Sequence, residues 1–173
     1  MEDVETKKPG AAVSVTALYT EHALGLVRLA VVMLGDQPAA EDVVQEAFLG
    51  LYRRWDQLAD PAKALSYVRS SVLNGCRTVL RHRVRHEGMT RLSPGDPPAE
   101  SADARILLGD EHAEVLTAVR RLPARQREAV ILRFYLDMPE EQAAAAMGVS
   151  RGTVKSATSR GVAALGRILK EES

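Results

Sequence analysis

The sequence predicts an all-α fold: two small helical domains joined by a flexible linker, the C-terminal one containing a helix-turn-helix. Three observations lead there. Aromatic residues make up only 4% of the chain while Ala, Val, Leu and Arg dominate, a balance that favours helices over sheets. Apolar residues recur at three- and four-residue spacing through most of the chain, the period of a helix with one buried face. A stretch rich in Gly, Pro and Ser separates two such regions. Neither an internal repeat nor a sustained heptad is visible.

Residues 1–13 lack periodicity and read as a mobile arm. From Val15, the residues Leu18, Leu24, Leu26, Val27, Leu29, Ala30, Val31 and Leu34 predict a helix with a broad buried face, closed by Gly35. Asp36 is placed to cap the next helix, with Pro38 in its first turn. That helix runs to about Trp55, with Val44, Phe48, Leu51, Tyr52 and Trp55 at helical spacing. Residues 56–64 form a loop marked by Asp60-Pro61. A third helix follows from about Leu65 to Val84, with Tyr67, Val68, Val72 and Val79 as candidate core, and completes a domain at 14–85.

The linker is placed at 86–105, where the apolar pattern lapses and Ser93-Pro94-Gly95-Asp96-Pro97-Pro98 falls. The second domain, 106–173, opens with a helix from Ile106 to Arg121. Another starts near Pro123, with Val130, Ile131, Phe134 and Leu136 on an apolar face. Its last part reads as an Ala-rich helix from Pro139 to Met147, a break at Gly148, and a helix whose cap is Ser150 accepting the Thr153 backbone N–H.

Two helices joined by so short a turn form a helix-turn-helix, whose second helix usually enters the DNA major groove. Here that helix carries Arg151, Thr153, Lys155, Ser156, Ser159 and Arg160, side chains able to reach phosphates and base edges. Apart from Glu140 and Glu141, placed where a helix dipole favours anions, the segment 138–170 holds no acid. On shape alone the motif is equally an ordinary helical hairpin; the local positive charge favours DNA.

Composition limits the alternatives. The 173 residues are 46% apolar and 27% charged, enough to bury a core. Formal net charge is zero, whereas a protein that holds DNA unaided is often strongly basic. Neutrality points to local basic patches or to a larger partner that supplies most of the grip. Cys76 is the single cysteine, which excludes an intramolecular disulfide and suits a reducing cytoplasm. No secretory signal pattern is read, and no apolar run is expected to approach the ~18 residues that span a bilayer, so membrane insertion is not expected. His82 and His86 share a helix face but have no Cys or carboxylate at ligand spacing. Cys76, on a helix between apolar neighbours, reads as packed rather than reactive, and no Gly-rich phosphate loop appears. No enzyme activity, small-molecule substrate, metal or cofactor is therefore expected.

The first domain makes the reading specific. Along Glu41-Asp-Val-Val-Gln-Glu-Ala-Phe48, burial of Val44 and Phe48 leaves Asp42, Gln45 and Glu46 on the exposed side. The run AAEDVVQEAFLGLYRRW resembles the polymerase-binding helix of extracytoplasmic-function sigma factors, small bacterial promoter-recognition subunits of the sigma-70 family. Other segments match in order: Ser66–Asn74 with the arginines that follow resembles the −10 helix, Leu122–Val130 the opening of the second conserved domain, and Gly148–Ser156 the −35 reader. The match spans roughly residues 15 to 170.

The resemblance implies an alternative-sigma initiation factor that binds core RNA polymerase and directs it to −10 and −35 promoter elements. Asp42, Gln45 and Glu46 would face the polymerase clamp coiled coil, and the second domain the polymerase flap. Arg69, Asn74, Arg77, Arg81 and Arg83 would grip the −10 strand. Arg151, Thr153, Lys155, Ser156, Ser159 and Arg160 would read the −35 duplex. It also implies promoter DNA and an anti-sigma protein as partners and a cytoplasmic location. Departures from the family pattern are Gln142, Ala143 and Thr158, with Gly152 and Gly161 adding flexibility to the reading helix. The competing reading is a helix-turn-helix regulator that acts without core polymerase.

Overall fold

A computed structural model describes residues 9–90, 106–109 and 112–171, and every regular element among them is helical. The elements are α1 (Pro9–Leu34), α2 (Gln37–Arg54), α3 (Ala64–Thr90), α4 (Ala113–Arg120), α5 (Ala124–Val130), α6 (Glu140–Met147) and α7 (Arg151–Glu171). Short 3₁₀ turns at Trp55–Gln57 and Pro61–Lys63 connect α2 to α3, and a π turn at Ile131–Tyr135 extends α5.

The local signals for the first unit act as anticipated. Gly35 adopts φ +67° and its N–H bonds the Val31 carbonyl at 2.7 Å, closing α1. Asp36 stands in extended conformation and its carboxylate accepts the Ala39 N–H at 3.2 Å, with Pro38 in the first turn of α2. Asp60 caps the second 3₁₀ turn through the Ala62 N–H at 3.0 Å. Leu29, Val31, Leu34, Val44, Phe48, Leu51, Val68 and Val72 form the shared core of α1, α2 and α3. Each such side chain contributes about 1.5–3 kcal/mol by leaving water. Gly75 lets α2 and α3 close on each other, since a Cβ there would lie 2.7 Å from Val43 Cγ1.

Boundaries and faces differ from expectation in several places. Helix α1 begins at Pro9 rather than near Val15, because Pro is favoured at the first helical position and periodicity reports only the part that packs. Helix α3 continues past Val84 to Thr90, so its last turn enters the segment expected as linker; 91–105 lies outside the described residues. The helix expected from Ile106 is interrupted by Gly109 at φ +87°, and α4 starts at Ala113. Leu24 is 55% exposed and Tyr52 is also exposed, both off the buried stripe. Phe134 is 65% exposed, because the π turn, in which Leu136 N–H bonds Ile131 O at 3.0 Å, inserts a residue and rotates Phe134 outward.

Contrary to expectation, one segment, Ser14–Leu34 of α1, is long and apolar enough to span a bilayer on length and composition. Its last six residues are buried on all sides instead. Leu29 to Leu34 are each 1% exposed or less. Core residues of α2 and α3 cover one side, and on the other Val32 lines an apolar groove with Val119 and Ile131 of the second unit.

In the second unit, α6 ends in a left-handed cap. Gly148 has φ +66°, its N–H bonds Ala145 O at 3.3 Å, and the Val149 N–H reaches Ala144 O at 3.1 Å. Helix α7 packs on α5 through Gly161, and Val154 and Ala157 turn inward. Gly161 is therefore a buried close-contact residue, not the source of flexibility expected from the sequence.

Candidate nucleic-acid and polymerase interface

Helix α7 is built to present its first turns. Ser150 Oγ accepts the Thr153 N–H at 3.2 Å and pairs with Thr153 Oγ1 at 2.9 Å, satisfying one of the unpaired donors at the helix start. With Val154 and Ala157 held in the core, Arg151, Lys155, Ser156, Ser159 and Arg160 are exposed and Thr153 is half-buried. Arg151 lies 3.8 Å from Glu140, but both ends of that pair meet solvent, so it holds the guanidinium weakly. No acid among the described residues pairs with Arg160. The groove between the start of α5 and α7 is lined by Arg125, Gln126, Ser150, Thr153, Ser156 and Arg160. Arg125 thus joins the α7 row from another element. Nothing local in the sequence marks it, because it belongs to a separate helix and only the approach of α5 to α7 brings it into the row.

The acidic stripe on α2 lies as its period requires. Asp42, Gln45 and Glu46 are exposed while Val43, Val44, Ala47 and Phe48 are buried. Glu46 has a loose, fully solvated pair with Arg53 at 3.5 Å.

The five α3 residues do not form one surface. Asn74, Arg77 and Arg81 follow three- and four-residue spacing and share a stripe. Arg69 is half-buried on another side, and burial lowers its guanidinium from the usual value. Arg83 also turns away. It donates to Leu34 O at 2.7 Å and reaches Asp36 at 3.3 Å, tying off the end of α1. Arg81 is exposed, with one contact to Thr78 Oγ1 at 3.3 Å. Arg77 donates through Nε and Nη2 to the two Glu128 carboxylate oxygens, each at 2.6 Å, and through Nη1 to Asn74 Oδ1 at 2.6 Å. Hydrogen bonding to Glu128 raises the Arg77 guanidinium further, against its burial.

Glu128, 1% exposed, is likewise unmarked in the sequence. An acid beside Ala129 and Val130 gives no sign of burial until its cationic partner is known. Nearby, Arg127 donates to the carbonyls of Arg120 and Leu122, the latter at 3.0 Å, closing the end of α4. Its guanidinium is lowered by burial and by the charge of Arg120. Arg133 likewise donates to Met138 O behind the π turn.

Comparison with known proteins agrees with this arrangement of a helical unit with an acidic stripe and a capped helix-turn-helix. The sigma-70 region 2 family model matches residues 18–86, and the model for sigma-70, region 4, matches 112–165. An RNA polymerase sigma-E factor of Streptomyces avermitilis is 33% identical over 81% of this chain and 76% of its own. The ECF RNA polymerase sigma factor SigL of Mycobacterium tuberculosis is 31% identical over 90% of this chain and 88% of its own. Among solved structures, CnrH in complex with the cytosolic domain of CnrY superposes with TM-score 0.70 at 22% identity, covering 94% of this chain and 96% of that one. The sigma factor RpoE in complex with the anti-sigma factor NepR from Bartonella quintana gives 0.65 at 24% identity, covering 90% and 98%. The chain belongs to the sigma-70 family, among the extracytoplasmic-function RNA polymerase sigma factors. It is an alternative sigma factor that directs RNA polymerase to promoters, and the polymerase-independent regulator is not favoured.

Proposed function

We propose that promoter selection is divided between residues of the two units, with boundaries near 14–85 and 106–173. The observation that carries this is the exposed row Arg151, Lys155, Ser156, Ser159 and Arg160, set by the Ser150 cap on a helix with no acid before its last residues. This row reads the −35 duplex, with Thr153 completing it at the groove edge. One good bidentate base contact discriminates by about 1–3 kcal/mol, so two or three specify a promoter while the polymerase supplies most of the affinity. Asn74, Arg77 and Arg81 grip the −10 strand, with Arg69 and Arg83 at the margins of that surface. Asp42, Gln45 and Glu46 orient the chain on the basic clamp coiled coil of core polymerase, where rim charges chiefly steer association. The flap meets the second unit.

An anti-sigma protein is a further partner. Support comes from solved neighbours whose structures were obtained with an anti-sigma factor or a partner's cytosolic domain. The chain acts in the cytoplasm, where core polymerase and promoter DNA are, and it performs no catalysis of its own.

Substitution at the two sites separates their roles. Arg160→Ala and Arg151→Ala are expected to reduce run-off transcription from promoters with an intact −35 element while leaving binding to core polymerase in place. Asp42→Lys with Glu46→Lys is expected to weaken binding to core polymerase. Loss of polymerase binding from the α7 variants, or none from the α2 variants, would reverse the assignments.

A further inference from the structure

The two units of the chain are held together by a salt bridge that uses a residue of the promoter-binding stripe. Glu128 on α5 is almost wholly buried, and its carboxylate receives both arms of Arg77 from α3. A buried carboxylate without a cation is strongly unfavourable, so this pair fits only when α3 and α5 are docked. Arg77 Nη2 also lies 3.5 Å from the Met147 carbonyl at the end of α6. Two neighbouring contacts extend the junction. The Arg120 side chain lies 3.4–3.6 Å from where a Cβ on Gly35 would stand, and Val32 of α1 shares an apolar groove with Val119 and Ile131.

We propose that Glu128 is an intramolecular latch: in the free protein it holds Arg77, the central residue of the stripe that engages the −10 strand, and docks the second unit against it. The docking itself follows from the geometry above. Its consequence for promoters rests on the assignment of Arg77 under Proposed function. The fork of Arg77 accommodates one anionic partner at a time, a carboxylate or a phosphate. The docked form and the form with Arg77 on DNA therefore exclude each other. Any partner that separates the units releases Arg77, and a strand that captures Arg77 favours separation in turn. The neutral chain thus carries its own competitor for nucleic acid, supplied by the unit that reads the other promoter element.

Small-angle X-ray scattering of the full-length chain, free of polymerase and DNA, tests the latch. The wild type is expected to scatter as one compact body. Glu128→Gln and Arg77→Gln are each expected to increase the radius of gyration and maximum dimension, with helicity by circular dichroism retained. The charge-reversed pair Arg77→Glu with Glu128→Arg is expected to recover part of the compactness. A wild type that already scatters as separated units overturns the proposal, as do helical variants with unchanged profiles. Should Glu128→Gln lose its helicity, Arg77→Gln decides. Run-off transcription by the wild type with core polymerase is measured alongside. Transcription with no change in scattering rejects the latch alone, whereas expansion of the variants without transcription rejects the promoter reading alone.

Discussion

Gly161 and Val130 approach so closely that a methyl group on Gly161 would lie 2.7 Å from Val130 Cγ2 and 3.2 Å from the Gln126 carbonyl. This contact sets the distance between α5 and α7, and with it the height at which the exposed row from Arg151 to Arg160 stands. Replacing an ordinary mid-helix Gly with Ala stabilises a helix by about 0.5–1 kcal/mol. At this site overpacking outweighs that gain, and Gly161→Ala is expected to destabilise the fold by about 1–3 kcal/mol. Adding Val130→Ala opens space and should return part of the loss. Chemical denaturation measures both; a stabilised single variant would contradict the close packing.

Thr158 illustrates the opposite case. Its hydroxyl is buried among the described residues with no hydrogen-bond partner. An unsatisfied buried hydroxyl costs about 1–3 kcal/mol. Thr158→Val keeps the shape and removes the hydroxyl, so a gain of about 1 kcal/mol is expected. For a chain of this size that raises the melting temperature by about 2–4 °C. A lower melting temperature would mean that the hydroxyl is satisfied in solution.

Such pairs also show what the sequence could and could not reveal. Caps were legible because they are local: Asp36, Ser150, Gly35 and Gly148 act within a few residues of themselves. The alternation on α2 was legible for the same reason. Glu128 was not, because a charge is buried only when a partner from a distant helix comes to meet it, and Arg77 supplies no local hint. Gly161 read as flexibility because close approach is a property of two helices, not one. Phe134 was misplaced because a single π turn shifts the helical phase without any Gly or Pro to mark it.

Cys76 provides a native probe of the core beneath that salt bridge. Burial pushes its thiol up from 9.0 to about 12, and the negative charge of Glu128 adds to the effect. The thiol should therefore react with a maleimide at pH 8 far more slowly in the folded chain than after unfolding. Between pH 9 and 12 the unfolded state loses this proton while the folded state keeps it, so stability falls as pH rises. The loss is about 1.4 kcal/mol by pH 10. Cys76→Ala is expected to remove that part of the slope in denaturation curves from pH 8 to 10. An unchanged slope, or rapid labelling of the folded protein, would count against a buried, neutral thiol.

The most direct test of promoter selection combines purified core polymerase, this chain and fragmented genomic DNA, with the transcripts mapped to their start sites. The predicted result is a defined set of starts with a common pair of upstream elements, present only when core polymerase and the chain are together. Tight binding of free duplex by the chain alone, with repression and no new start sites on adding polymerase, would contradict it.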